Sequence, residues 1–171
     1  DLQKALDKKL QQMTKENSSR IYFHDMYKKI IDEYNQGKDL EDTVKAFDKL
    51  NEFIETLNQE EKRSMREGLD EESLAIFDLL IAGKELSEKE RKEVKKVAVK
   101  TITTLKEEKL KVERYRESRQ VTAQIRNIIR DNLFHLPQES YNDQEVDNRV
   151  VSVYQHIYSN YVGGGKSVYS S

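Results

Sequence analysis

The chain has 171 residues, 36% hydrophobic and 36% charged, with one proline, six glycines and no cysteine; this suits one domain, or one domain with an arm, in which thin helices each bury a narrow stripe. The missing cysteines exclude disulfides, thiolate metal sites and cysteine nucleophiles. Without cysteines the oxidising-compartment argument is silent and a cytoplasmic chain is the default; no apolar run approaches the ~20 residues of a membrane span, and no signal-peptide pattern opens the sequence. The net charge of −2 is unevenly spread: residues 84–130 carry 15 Lys and Arg against 8 Asp and Glu, and a basic segment in an otherwise acidic chain points to a partner rather than to a fold.

In chain order, Leu2, Leu6, Leu10 and Met13 step by three and four and predict a first helix, an arm or linker over residues 1–19. Asn17, Ser18 or Ser19 is available to cap a second, with a stripe of Ile21, Met26, Tyr27, Ile30, Ile31 and Tyr34 that stops at Gly37. Asp39 caps a third, striped by Leu40, Val44, Phe47, Leu50, Ile54 and Leu57, and a short helix around 60–67 ends at Gly68. The clearest entry signal follows: Asp70 as N-cap, Glu71 and Glu72 facing the helix dipole, and Leu69 with Leu74 placed as a hydrophobic staple. Leu74, Phe77, Leu80 and Ile81 then form the buried face, and Gly83 closes the helix.

Ser87-Glu88-Lys89-Glu90 is a capping box that opens a long helix striped by Val94, Val97, Ala98, Thr101, Leu105 and Val112. Val121, Ile125, Ile128, Ile129 and Leu133 mark another, and Pro137 separates it from a last helix over 142–161. No segment alternates as a strand does, so the expected fold is all-α: an irregular multi-helix domain with one long basic helix. The chain then ends in "YVGGGKSVYSS", where Gly163-Gly164-Gly165-Lys166-Ser167 resembles the close of a phosphate-binding loop. That motif needs a glycine at position 160, which is Asn160, with a strand before it and a helix after it. The preceding segment has helical spacing instead, and residues 162–171 are expected to be a flexible Gly/Ser tail.

Little else could carry chemistry. His24, His135 and His156 lie far apart and form no metal-ligand pair. Glu107-Glu108-Lys109 sits mid-helix, without the second carboxylate on a neighbouring strand that a nuclease metal site needs. Tyr154, Tyr158 and Tyr161 form a helical aromatic row of the kind that serves packing more often than base stacking. No catalytic and no metal residues are therefore expected. The remaining candidate is the basic segment, where Lys89, Lys92, Lys96, Lys100, Lys111 and Arg114 fall opposite the apolar stripe, interrupted by Glu107. Such a row can neutralise successive phosphates; equally, it can be an outer face solubilised by lysine and stitched by pairs such as Glu88–Lys92. From spacing alone both remain open.

Three stretches resemble one family. "EEKRSMREGLDEESLAIFDLL" is similar to a segment of the R (motor) subunits of type I restriction enzymes that reads, loosely, R-E-G-L-[ST/D]-E-E-E-L-A-[FI]-[FY]-D-L-L. The span from Tyr115 to Tyr161 resembles the close of the same family's C-terminal region, with its R-A-Q-[IV]-R-x-x-I core, L-P-x-x-Y and V-Y-x-H-[IV]-Y-x-x-Y. "RIYFHDMYKKIIDEYNQGKDLEDTVKAFDKL" fits its helix–Gly–helix segment, so the likeness covers about Arg20 to Tyr161. Where many members show Asp-Trp-Trp or Asp-Trp before the core, this chain has Arg114-Tyr115-Arg116, and Thr122 replaces the core's first arginine. No role of the tryptophan carries over except packing, left to Tyr115.

The resemblance implies a helical accessory domain over 20–161, with no cofactor of its own, in a subunit whose ATP- and Mg²⁺-dependent motor and nuclease domains lie elsewhere. It also implies partners: double-stranded DNA, the methyltransferase core subunits and the subunit's own helicase domains. A protein-binding helical adaptor without nucleic-acid contact is the competing expectation.

Overall fold

The computed structural model describes residues 1–170 and is helical almost throughout. Contacts divide the chain into two compact units, Asp1–Gly68 and Leu69–Ser171. The break thus falls at Gly68, whereas the sequence pattern set an arm apart at residue 19. The physical reason is that the stripe of the first helix is used within the first unit. In α1 (Leu2–Glu16), Leu6, Leu10 and Met13 are buried in one cluster with Phe23, Tyr27, Phe53 and Leu57.

The other helices of that unit are α2 (Tyr22–Gln36), α3 (Leu40–Glu61) and α4 (Arg63–Glu67). Caps fall where side-chain chemistry places them, with Asp39 accepting from the Asp42 N–H at 2.9 Å. The buried stripes, however, are narrower than the spacing predicts. Phe53 is drawn inward by ring contacts with Phe23 and Tyr27, centroids 6.4 and 5.8 Å apart. The α2–α3 seam therefore runs through Phe23, Tyr27, Ala46, Phe53 and Leu57, leaving Leu40, Val44 and Phe47 exposed. The unit also encloses charge. Glu60 is buried, and burial alone would raise its pKa. Hydrogen bonds from Arg63 and Arg20, each nitrogen to oxygen contact 2.9 Å, outweigh that and hold the carboxyl below its usual range.

The second unit is built on α5 (Glu71–Ile81), α6 (Glu88–Glu108), α7 (Arg119–Leu133) and α8 (Asp143–Asn160). Asp70 caps α5 through the Ser73 N–H at 2.8 Å, and Ser87 with Glu90 forms the capping box of α6. Every residue of α5 from Ser73 to Asp78, and Leu80, is buried. It presents no solvated face, so α6, α7 and α8 complete a single core with it that includes Leu74, Phe77, Leu80, Val94, Ile102, Ile125, Ile129, Val153 and Ile157.

Two features depart from the sequence pattern. First, α6 stops at Glu108, so Val112, Lys111 and Arg114 lie beyond it in the connection to α7. Arg114 has φ 54°, a left-handed conformation that no helix continues. Second, where a loose tail is expected the chain forms a small antiparallel hairpin, β1 (Tyr161–Gly163) with β2 (Lys166–Ser167). The Gly164 and Gly165 N–H groups donate to the Val112 and Leu110 carbonyls, both at 3.1 Å. Tyr169 packs on Tyr161, ring centroids 5.8 Å apart. Only the folded connection after α6 supplies those carbonyls, so nothing local could announce them.

Phe77 is fully buried, with Arg91 and Lys95 of α6 over its ring at 5.2 and 5.7 Å. Phe77→Ala is expected to cost about 3–5 kcal/mol of stability in urea unfolding; a melting temperature within a degree or two of the parent would place the ring elsewhere. At Gly163, φ is 102°, and an added Cβ would sit 2.9 Å from the Val112 carbonyl oxygen. Gly163→Ala should therefore release the hairpin, read as loss of amide protection at Gly164 and Gly165 while the α5 amides stay protected.

Candidate nucleic-acid interface

The capping box fixes where α6 begins, and its rotation follows from the buried residues Val94, Val97, Ala98, Thr101, Ile102 and Leu105. At about 100° per residue, Lys89, Lys92, Lys96 and Lys100 then fall within one turn-wide band on the opposite side. All four are exposed. Their neighbours on the same helix do pair: Lys106 contacts Glu72 at 2.8 Å, and just beyond the helix end Lys109 donates to Gln124 at 2.7 Å. The row itself makes no ion pair or hydrogen bond among the described residues, and the expected Glu88–Lys92 stitch is absent. Four exposed ammonium groups thus share one face of α6 without a contacting countercharge among the described residues.

Lys111 and Arg114 are exposed too, yet they do not extend this band. Both follow the end of α6, and Arg114 faces Glu117 across 3.4 Å. The six candidates therefore separate into a helical row of four and two side chains on a turn.

A second basic surface lies on α7 and α8. The Arg126 guanidinium lies over the Tyr154 ring at 4.4 Å, and that of Arg116 over Tyr158 at 5.2 Å. The two tyrosine rings are neighbours, with centroids 6.1 Å apart. Arg116 is carried by a 3₁₀ turn, Tyr115–Glu117, and Tyr115 fixes that turn. Its hydroxyl is buried and donates to the Ile157 carbonyl at 3.2 Å, lying also against the Tyr161 carbonyl. The tyrosine row was legible in the sequence, but as packing, which holds for buried Tyr161 and not for exposed Tyr158. Its arginine partners were not, because they sit on elements far away in the chain. Arginine four or seven residues apart in "SRQVTAQIRNIIR" was the only signal available.

The remaining candidates are structural. The Nδ1 of His156 is 2.8 Å from the Asn160 amide nitrogen, and its Nε2 is 3.4 Å from the Tyr169 hydroxyl. His24 contacts the Thr14 hydroxyl at 3.1 Å. No cluster of three or more metal-ligating side chains occurs among the described residues, and no described helix is long and apolar enough to cross a membrane. The "GGGKS" segment forms a hairpin turn whose backbone donors at Gly164 and Gly165 are committed to protein carbonyls, so they are not free to cradle a phosphate.

The family described as type I restriction enzyme HindI endonuclease subunit-like, C-terminal, matches residues 1–159. The chain belongs to that family. No curated protein and no solved structure matches the chain significantly. The family match also takes in α1, which the motif resemblance, starting near Arg20, did not cover.

Burial holds the His156 imidazole down, to about 4. The unfolded chain, with a histidine near its ordinary 6.5, binds a proton that the folded state refuses. The contribution is complete above pH 6.5 and is lost as pH falls toward 4. Unfolding free energy measured in urea should therefore drop by on the order of 1 kcal/mol per pH unit between pH 6.5 and 5. His156→Gln should flatten that slope, whatever it does to stability at pH 8.

Proposed function

We propose that this C-terminal domain of a type I restriction endonuclease subunit is not itself catalytic, and that it helps assemble the subunit with the methyltransferase core while gripping duplex DNA without reading its sequence. The observation that carries the DNA part is the row Lys89, Lys92, Lys96 and Lys100: exposed, on one face of a well-anchored helix, and free of ion pairs among the described residues. Ammonium groups so placed neutralise phosphates and release counterions, which gives affinity and position but no base discrimination. Lys111 and Arg114 join as flanking contacts from the turn. A motor that moves along DNA is served by that kind of grip, because base-specific contacts would hold it at preferred sites.

The domain works in the cytoplasm and brings no cofactor of its own. ATP and Mg²⁺ would act in the motor and nuclease domains of the parent subunit, with the helicase domains as further neighbours.

The test is a salt titration of the chain with a fluorescent 30-base-pair duplex. Each phosphate contact steepens the slope of log affinity against log salt by about 0.9, so the four lysines of the row account for about −3.6 of it. Lys92→Glu, Lys96→Glu and Lys100→Glu together should flatten the slope and weaken unrelated sequences alike, with helix content by circular dichroism unchanged. An unaltered affinity and slope would make the row a solvated face and leave a protein-binding adaptor as the better account.

A further inference from the structure

We infer that the arginine–tyrosine surface of α7 and α8 is a second DNA-backbone contact, distinct in residues and chemistry from the lysine row of α6. The inference rests on the reading that this domain grips DNA. Its components are Arg116, Arg119 and Arg126 with Tyr154 and Tyr158.

Arg126 lies 4.4 Å from the Tyr154 ring centroid and Arg116 lies 5.2 Å from that of Tyr158. The rings, 6.1 Å apart, join the two cations into one continuous strip: guanidinium, ring, ring, guanidinium. Arg119 precedes Arg126 by seven residues, so both project from the same side of α7, about 10.5 Å apart along its axis. None of the three arginines makes an ion pair among the described residues. Arg119 and Arg126 are exposed, Tyr158 is 41% exposed, and Arg116 is half-buried.

A guanidinium mounted on an aromatic face is restrained in two dimensions but keeps the N–H groups in its own plane, the fork that fits a phosphate bidentately. Stacking therefore prepays part of the ordering cost that a free arginine incurs on binding. The strip fits a polyanion better than a protein partner. Protein interfaces centre on an aromatic or apolar anchor driven into a desolvated pocket, whereas here each ring already carries an arginine on one face. What is offered outward is chiefly unneutralised charge along a line, and a nucleic-acid strand, with a phosphate every 3.4 Å of axis, supplies the matching charge at regular spacing.

The two basic surfaces are separable by experiment. The chain is prepared as Arg119→Gln/Arg126→Gln, as Arg116→Gln/Arg119→Gln/Arg126→Gln, and as Lys92→Gln/Lys96→Gln/Lys100→Gln, and each is titrated with the duplex across a salt series. Removing three arginine contacts is expected to make the slope less steep by about 2.7, and the exposed double variant by about 1.8, which covers the case in which loss of half-buried Arg116 unfolds the turn. Arg126→Lys should keep the slope while weakening binding, because charge survives but the stacked fork does not. Tyr154→Leu should act in the same way.

If the arginine variants bind as the parent does while the lysine variant weakens, this inference fails and the lysine grip stands. Weakening by the arginine variants alone supports the strip and removes the lysine row. If neither set changes binding, both fall. Loss of binding to poly-glutamate without loss of binding to DNA would identify an acidic protein segment as the partner and overturn the inference.

Discussion

The second unit depends on how α5 is kept dry. A helix buried on all sides must lose no backbone hydrogen bond at its ends, since its terminal carbonyls have no intrahelical partner. In this chain its start is met by Asp70, and its close by side chains from afar. Tyr141 donates to the Leu80 carbonyl at 2.7 Å, and Arg149 donates to those of Leu79 and Ala82 at 2.8 and 2.7 Å. With those groups satisfied, α5 can be apolar nearly all round, and α6, α7 and α8 each need only one stripe to enclose it. Their outer faces are then free of packing duty, and on α6 and α7 those faces are basic.

The connection after α6 is the second constraint. The helix must stop at Glu108 for the chain to turn at Arg114 and set Tyr115 against the end of α8. Tyr115 then supplies a donor to carbonyls at that helix end, and its neighbour Arg116 is carried onto Tyr158. The hairpin of residues 161–167 closes over the same turn. Its glycines are needed for close approach to residues 110–114, and a phosphate-binding role would compete for the same backbone N–H groups. One small knot of backbone contacts thus ends α6, seats the C-terminal hairpin and positions a stacked arginine.

The two basic surfaces differ in what holds them. The lysine row is a band of mobile point charges whose placement is set only by the rotation of α6. The arginine–tyrosine strip is fixed by ring contacts between elements brought together by the core. A long-range, sequence-blind attraction suits the first, and a shorter-range, oriented grip on phosphates suits the second.

By itself the sequence determined the helices, their caps and the exposed lysine band, because these depend on neighbours three or four residues away. Asp39, Asp70 and the Ser87–Glu90 box cap as their chemistry dictates, and the stripe of α6 faces inward as its period requires. The family, too, was legible in three stretches of helix signatures. Tertiary structure decided what local spacing cannot weigh: which apolar residues are used when a seam is narrow, as Phe53 is and Phe47 is not. It also decided where α6 stops, which glycines close a hairpin onto carbonyls fifty residues away, and that Arg116 and Arg126 meet Tyr158 and Tyr154. Each of those outcomes rests on a contact between distant segments, and pairwise energies of about 1 kcal/mol leave no periodic trace in either segment alone.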